Sequence, residues 1–140
     1  MKEATILIVD DDDIDVELLQ RTLKKLKIAN RTHRATDGLD ALEILRGENG
    51  RERLEPPYII LLDINMPRMS GLEFLEEVRS DPDLRRAVIF VLTTSDDQSD
   101  ILGAYDKNIA GYVVKGDASE TFQQALLMLD HFWRVVELPT

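Results

Sequence analysis

Thr5-Ile6-Leu7-Ile8-Val9 runs without a break into Asp10-Asp11. Four consecutive apolar residues that stop abruptly on two carboxylates show no alternation of period two. Such a segment reads as a strand buried on both faces, the habit of strands in parallel sheets. The pattern recurs down the chain. Ile59-Ile60-Leu61-Leu62 stops at Asp63, Val88-Ile89-Phe90-Val91-Leu92 stops at Thr93-Thr94, and Tyr112-Val113-Val114 stops at Lys115.

Between these runs lie amphipathic segments of helical period, which predict βαβ units. The first helix carries Val16, Leu19, Leu23 and Leu26. A weak strand near Thr32 to Ala35 follows, and Asp37-Gly38 turns the chain into a second helix with Leu39, Leu42 and Leu45 inward. Gly47 to Pro57 reads as a polar loop before a strand at Tyr58 to Leu62. Ser70 and Glu73 fit a capping box that opens a third helix, ended by Ser80-Asp81-Pro82. The fourth strand ends at Leu92, and the fourth helix carries Ile101, Leu102 and Tyr105. A fifth strand covers Gly111 to Val114, and Asp117 with Glu120 make a second capping box for a last helix running toward Val136.

This order predicts an α/β fold: a doubly wound, five-stranded parallel sheet of flavodoxin-like (βα)5 type with strand order 2-1-3-4-5. That order sets the carboxyl ends of strands 1, 3, 4 and 5 side by side, where ligands bind in such sheets. Asp10, Asp11, Asp63, Thr93 and Lys115 are expected to converge there.

At 140 residues the expectation is one domain with a full core and no separate output module. A net charge of -10 with no basic block argues against nucleic acid as a partner. The sequence has no cysteine, which excludes disulfides and thiolate metal sites. Nothing resembles a signal peptide or spanning helix, so no membrane is expected and a cytoplasmic location is. The last helix carries two apolar stripes: Phe122, Leu126, Leu129, Trp133 and Val136, beside Ala125, Met128, Phe132 and Val135. A helix greasy on both sides must bury both, in a thick core or in a homodimer face.

The converging residues suit one chemistry. A carboxylate is ionised at neutral pH, so Asp63 could attack a phosphoryl group with no activating base. His33 and His131 lie off the strand-end row and are expected to be ordinary residues. Crowded carboxylates repel unless a cation sits among them, and Mg2+ commonly binds through one or two carboxylates. Asp11 and Asp63 are the expected direct ligands and Asp10 a water-mediated one, with the main-chain carbonyl of Asn65 closing the set. Lys115 is expected to pair with Asp63 at rest and with a phosphoryl oxygen afterwards. Thr93 offers a hydroxyl to the same oxygens, and Tyr112 would fill the space that the hydroxyl vacates. Asp12 and Asp13 read as a solvated, helix-capping turn. An EF-hand is excluded, because Val16 and Thr22 stand where its glycine and last acid belong.

With these positions in hand, the chain resembles the receiver domain of two-component response regulators over nearly its whole length, residues 1–140, with a short C-terminal helical extension at about 119–138. The matching pieces are Ile6 to Asp11, Leu61-Leu62-Asp63-Ile64-Asn65-Met66-Pro67 with Gly71, Val91-Leu92-Thr93-Thr94-Ser95, and Gly111-Tyr112-Val113-Val114-Lys115. The resemblance implies that Asp63 accepts phosphate from a sensor histidine kinase with Mg2+ bound. It assigns Asp10, Asp11 and Asn65 to the metal group, Thr93 and Lys115 to phosphate sensing, and Tyr112 to the switch. Asp15-Val16-Glu17-Leu18, the loop before Pro56-Pro57 and the tail ending Leu138-Pro139 are similar to single-domain regulators paired with phytochrome-type kinases, in which dimers through the last helix are common.

One departure stands out. The family usually follows the lysine with proline through a cis peptide, whereas Gly116 follows Lys115. A cis bond before a non-proline costs about 2.5 to 4 kcal/mol, so a trans bond is expected. Gly116 also motivates a competing reading, a binding module that keeps the fold and has lost the chemistry. A phosphatase with an aspartate nucleophile is disfavoured, because Asn65 stands where that class needs an acid.

Overall fold

The computed structural model describes residues 3–115 and 119–140. In chain order they form β1 (Thr5–Val9), α1 (Asp13–Lys25), β2 (Thr32–Ala35), α2 (Gly38–Arg46) and β3 (Tyr58–Leu62). There follow α3 (Gly71–Ser80), β4 (Val88–Thr93), α4 (Gln98–Asp106), β5 (Gly111–Val114) and α5 (Ser119–Val135). The strands make one 5-stranded sheet in the order β2-β1-β3-β4-β5, every pair parallel. Both the class and the strand order match the sequence expectation. Register levels the strand ends: Val9 lies against Leu62, Leu62 against Val91, and Thr93 against Val114.

The uninterrupted apolar runs have a direct cause. Leu7, Val9, Ile60, Leu62, Ile89 and Val91 pack with Ala41, Leu42, Leu45, Phe74, Leu75, Val78 and Ala104 of α2, α3 and α4. Their strand neighbours Ile6, Ile8, Ile59, Leu61, Phe90 and Leu92 pack with residues of α1 and α5, among them Val16, Leu19, Leu126, Leu129 and Trp133. Successive side chains point to opposite faces of a sheet, so covering both faces demands an apolar residue at every position.

Local deviations from the sequence reading have simple origins. Leu39 is 37% exposed, not inward. The buried residues of α2 include Gly38, Ala41, Leu42 and Leu45, an i, i+3, i+4, i+7 face on which Leu39 does not fall. β4 extends one residue beyond Leu92, because Thr93 still pairs with Val114. In α4 only Ala104 is buried, while Leu102 and Tyr105 are exposed. In α5 the second stripe divides. Phe132 packs edge-on against Phe90 with ring centroids 5.0 Å apart, whereas Met128 and Val135 are exposed. The Ser70–Glu73 capping box is present in both directions. The Lys115–Gly116 peptide and the Asp117–Glu120 box lie outside the described residues.

Arg79 at the end of α3 was not singled out in the sequence. Its guanidinium donates to the carbonyls of Lys107, Arg85, Ala87 and Asn108 at 2.7 to 3.0 Å. One planar fork therefore satisfies carbonyls in the α3–β4 and α4–β5 connections and ties both to α3.

Candidate functional site

The acidic pocket begins where β1 ends. Asp10 is 5% exposed, and its main chain still joins the ladder through its N–H to Ala35 O at 3.1 Å. Its Oδ1 accepts from Asp12 N at 2.9 Å, and its carbonyl accepts from Arg34 Nε at 3.0 Å. Asp12 caps α1, accepting from the N–H groups of Ile14 and Asp15, as its place before an apolar-periodic segment suggested. The next acid, Asp13, pairs with Arg34 Nη1 at 2.7 Å. Arg34, from β2, thus grips the acidic turn at two points.

Asp63 sits one residue beyond β3. Its N–H donates to Val9 O at 2.9 Å, which carries the β1–β3 ladder to the pocket edge. Its Oδ1 accepts from Ile64 N at 2.8 Å and from Thr93 Oγ1 at 2.5 Å. Asp10, Asp11 and Asp63 each offer a carboxylate oxygen, all within 4.8 Å of one another. Lys115 closes the other side: its N–H bonds Thr93 O at 2.6 Å, and its ammonium donates to Asp10 Oδ2 at 3.2 Å and Asp15 Oδ2 at 3.3 Å.

That last observation corrects the expected Lys115–Asp63 pair. Asp63 takes its donors from Ile64 and Thr93, while two acids, Asp10 and Asp15, together draw the ammonium to the α1 side. Asp15 was read from the sequence only as part of a resemblance. The available signal was a charge count: the one cation of the row faces acids at 10, 11, 15 and 63.

The electrostatics follow from the crowding. Burial pushes the Asp63 carboxyl above the usual aspartate range, the Asp10 charge adds to this, and the Thr93 hydroxyl, Lys115 and the Ile64 N–H oppose it. For Lys115, burial pulls the ammonium down, but Asp10, Asp63 and Asp15 outweigh it and the net shift is upward. The lysine stays charged. Three neighbouring carboxylate oxygens, one of them on a carboxyl reluctant to ionise, make a donor set suited to a hard divalent cation. Beside the acids a groove of about 540 Å³ runs between α1 and α5, walled by Asp10, Asp63, Lys115, Leu18 and Phe122.

Tyr112 lies on β5 beside Val91, three residues before Lys115. Its hydroxyl donates to Ser95 O at 2.9 Å, and the Ser95 N–H reaches Thr93 Oγ1 at 3.3 Å. A continuous path therefore joins the Asp63 carboxylate to the tyrosine through Thr93 and Ser95. Asn65 is exposed on the loop that follows Asp63.

A doubly wound sheet with an acidic triad, a hydroxyl and an ammonium on its carboxyl edge defines a class. Residues 6–127 match the family of response regulator receiver domains, and the chain belongs to it. It is 33% identical over 135 residues to response regulator Rcp1 of Synechocystis sp., which covers 96% of this chain and 92% of that protein. The fold superposes with a TM-score of 0.89 on the phosphorylated cyanobacterial phytochrome response regulator RcpA, at 31% identity and with 99% and 100% of the two chains covered. The Mn2+-bound form of Rcp1 gives a TM-score of 0.86 at 33% identity over 98% and 99%. Among the described residues no helix is long and apolar enough to cross a membrane.

Proposed function

We propose that residues 1–140 form a single receiver domain acting as a stand-alone response regulator in a phosphorelay, with Asp63 as its phosphoacceptor. The observation that carries this reading is the meeting of Asp10, Asp11, Asp63, Thr93 and Lys115 at four adjacent strand ends. A sensor histidine kinase donates the phosphoryl group. The relatives named as phytochrome or bacteriophytochrome response regulators support a kinase of phytochrome type, and the proposed setting is the cytoplasm. An Asp63 oxygen forms the new O–P bond as the N–P bond to the kinase imidazole breaks, and the imidazole leaves with the electron pair and takes a proton from water. Asp10, Asp11, Asp63 and the Asn65 carbonyl would hold Mg2+, which when bound supplies positive charge against the incoming anion. Lys115 pairs with one phosphoryl oxygen and the Thr93 hydroxyl turns to another. Thr93 then gives up its bond to Asp63, Ser95 shifts with it, and Tyr112 moves inward to bias the surface of α4, β5 and α5.

Incubating the protein with acetyl phosphate and Mg2+ tests the chemistry. Intact mass should show one added phosphoryl group, and a protein that stays unmodified would favour the phosphorylation-independent module. The output surface, with the C-terminal tail, is also read as a homodimer face, supported by exposed Leu102 and Tyr105 on α4, Val114 on β5, Met128 and Val135 on α5, and Val136 after it. A charge placed there by Val135→Asp should halve the mass found by sedimentation. A wild-type protein that sediments as a monomer, phosphorylated or not, would remove the dimer from this reading.

A further inference from the structure

Lys115 holds two acids in the described structure, and only one of them belongs to the metal group. Asp10 does, while Asp15 stands on the first turn of α1, five residues further on, and among the described residues its carboxylate hydrogen-bonds Lys115. The pairing is enclosed: the lysine side chain is 14% exposed and that of Asp15 33%. Asp15 is held in place by its own helix start, since its N–H and that of Ile14 are both capped by Asp12. Lysine carries three movable donors on a flexible stem, so the ammonium can trade one partner for another with little rearrangement.

We propose that Asp15 is a positioning residue for Lys115: it keeps the ammonium on the α1 side of the pocket and must release it when a phosphoryl group arrives on Asp63. This rests on the reading of Asp63 as phosphoacceptor. Each phosphorylation then breaks the Lys115–Asp15 contact, so the balance between unmodified and phosphorylated protein depends on the strength of that contact. The Asp15 carboxylate is released at the same step, which couples the α1 wall of the groove to the state of Asp63.

Beryllium fluoride, a phosphoryl mimic that binds aspartate reversibly, gives an equilibrium readout by calorimetric titration at saturating Mg2+. Asp15→Asn should bind it about 3- to 10-fold more tightly than wild type, the scale expected for losing one partly screened ion pair. Removing any acid makes the pocket less repulsive to an anion, so a control is needed. Asp13→Asn deletes the same charge from the same helical turn, where Asp13 pairs with Arg34 instead of Lys115, and should bind the mimic within about 2-fold of wild type. Equal affinities for wild type and Asp15→Asn, or an equal gain in Asp13→Asn, overturn the anchor and leave the phosphoacceptor reading intact. A wild-type protein that binds no beryllium fluoride with Mg2+ present overturns both.

Discussion

Asp63→Asn should abolish phosphoryl uptake and at the same time make the metal-free protein more stable near neutral pH. Both effects have one origin. The wild-type carboxylate is partly buried beside Asp10 and Asp11, and burial followed by the Asp10 charge raises its pKa. A carboxyl whose folded pKa exceeds its unfolded one binds protons more readily when folded. Stability therefore falls as pH rises from the ordinary aspartate value through the raised folded value, and above that value the full cost persists. Asparagine carries no such cost. It keeps an oxygen for Thr93 Oγ1 and Ile64 N, which now bond Asp63 Oδ1. Thermal melts in chelator across pH should show the variant melting above wild type at neutral pH, the gap closing as pH drops through that window. Groups away from the pocket titrate alike in both proteins and cancel in the difference. Mg2+ should reverse the order, because ligand at about 100 times its Kd stabilises wild type by about 2.7 kcal/mol. A variant less stable than wild type in chelator would mean that the acidic crowding is not a strain on the fold.

Gly71→Val should cost both stability and site chemistry. Gly71 opens α3, and its N–H donates to Ile64 O at 2.7 Å, which draws the helix start against the loop leaving Asp63. A Cβ at this position would collide with the Asp63 carbonyl oxygen and lie 2.8 Å from Ile64 Cα. These are backbone atoms beside the acceptor, so the loop must move and not a side-chain tip. Overpacking of this kind costs about 1 to 3 kcal/mol, enough to lower Tm by roughly 3 to 10 °C in a domain of this size. Displacing the Asp63–Asn65 segment by even part of an ångström should slow labelling by acetyl phosphate about 10- to 100-fold. Gly71→Ala should show the same pattern in weaker form. Normal labelling by a destabilised Gly71→Val would show that α3 does not position the acceptor loop.

The central strands β1, β3 and β4 were legible because burial on both faces keeps their interiors apolar, whereas the edge strand β2, Thr32-His33-Arg34-Ala35, is only partly buried and read weakly. Ile6 to Val9 and Ile59 to Leu62 are all at most 2% exposed, so their polar stops marked the strand ends directly. The acids, Thr93 and Lys115 were legible for the same reason, each being the first polar group after an apolar run. Partners were harder to read. Lys115 meets Asp15 only because capping by Asp12 fixes how α1 leaves the acidic turn, and that geometry is not written in any spacing. Arg79 was invisible because its partners are carbonyls, which every residue carries. Leu39 was misplaced because apolar character alone does not set helical phase, whereas the small Gly38 and Ala41 mark the face pressed to its neighbours.

The most direct measurement is to label the wild-type chain with acetyl phosphate and Mg2+, reduce it with borohydride, and sequence its peptides by mass. An acyl phosphate is reduced to the alcohol, so the account predicts homoserine at position 63 and nowhere else, with no conversion when Mg2+ is replaced by chelator. Unmodified Asp63 after labelling, or conversion at Asp10 or Asp11 in its place, would contradict it.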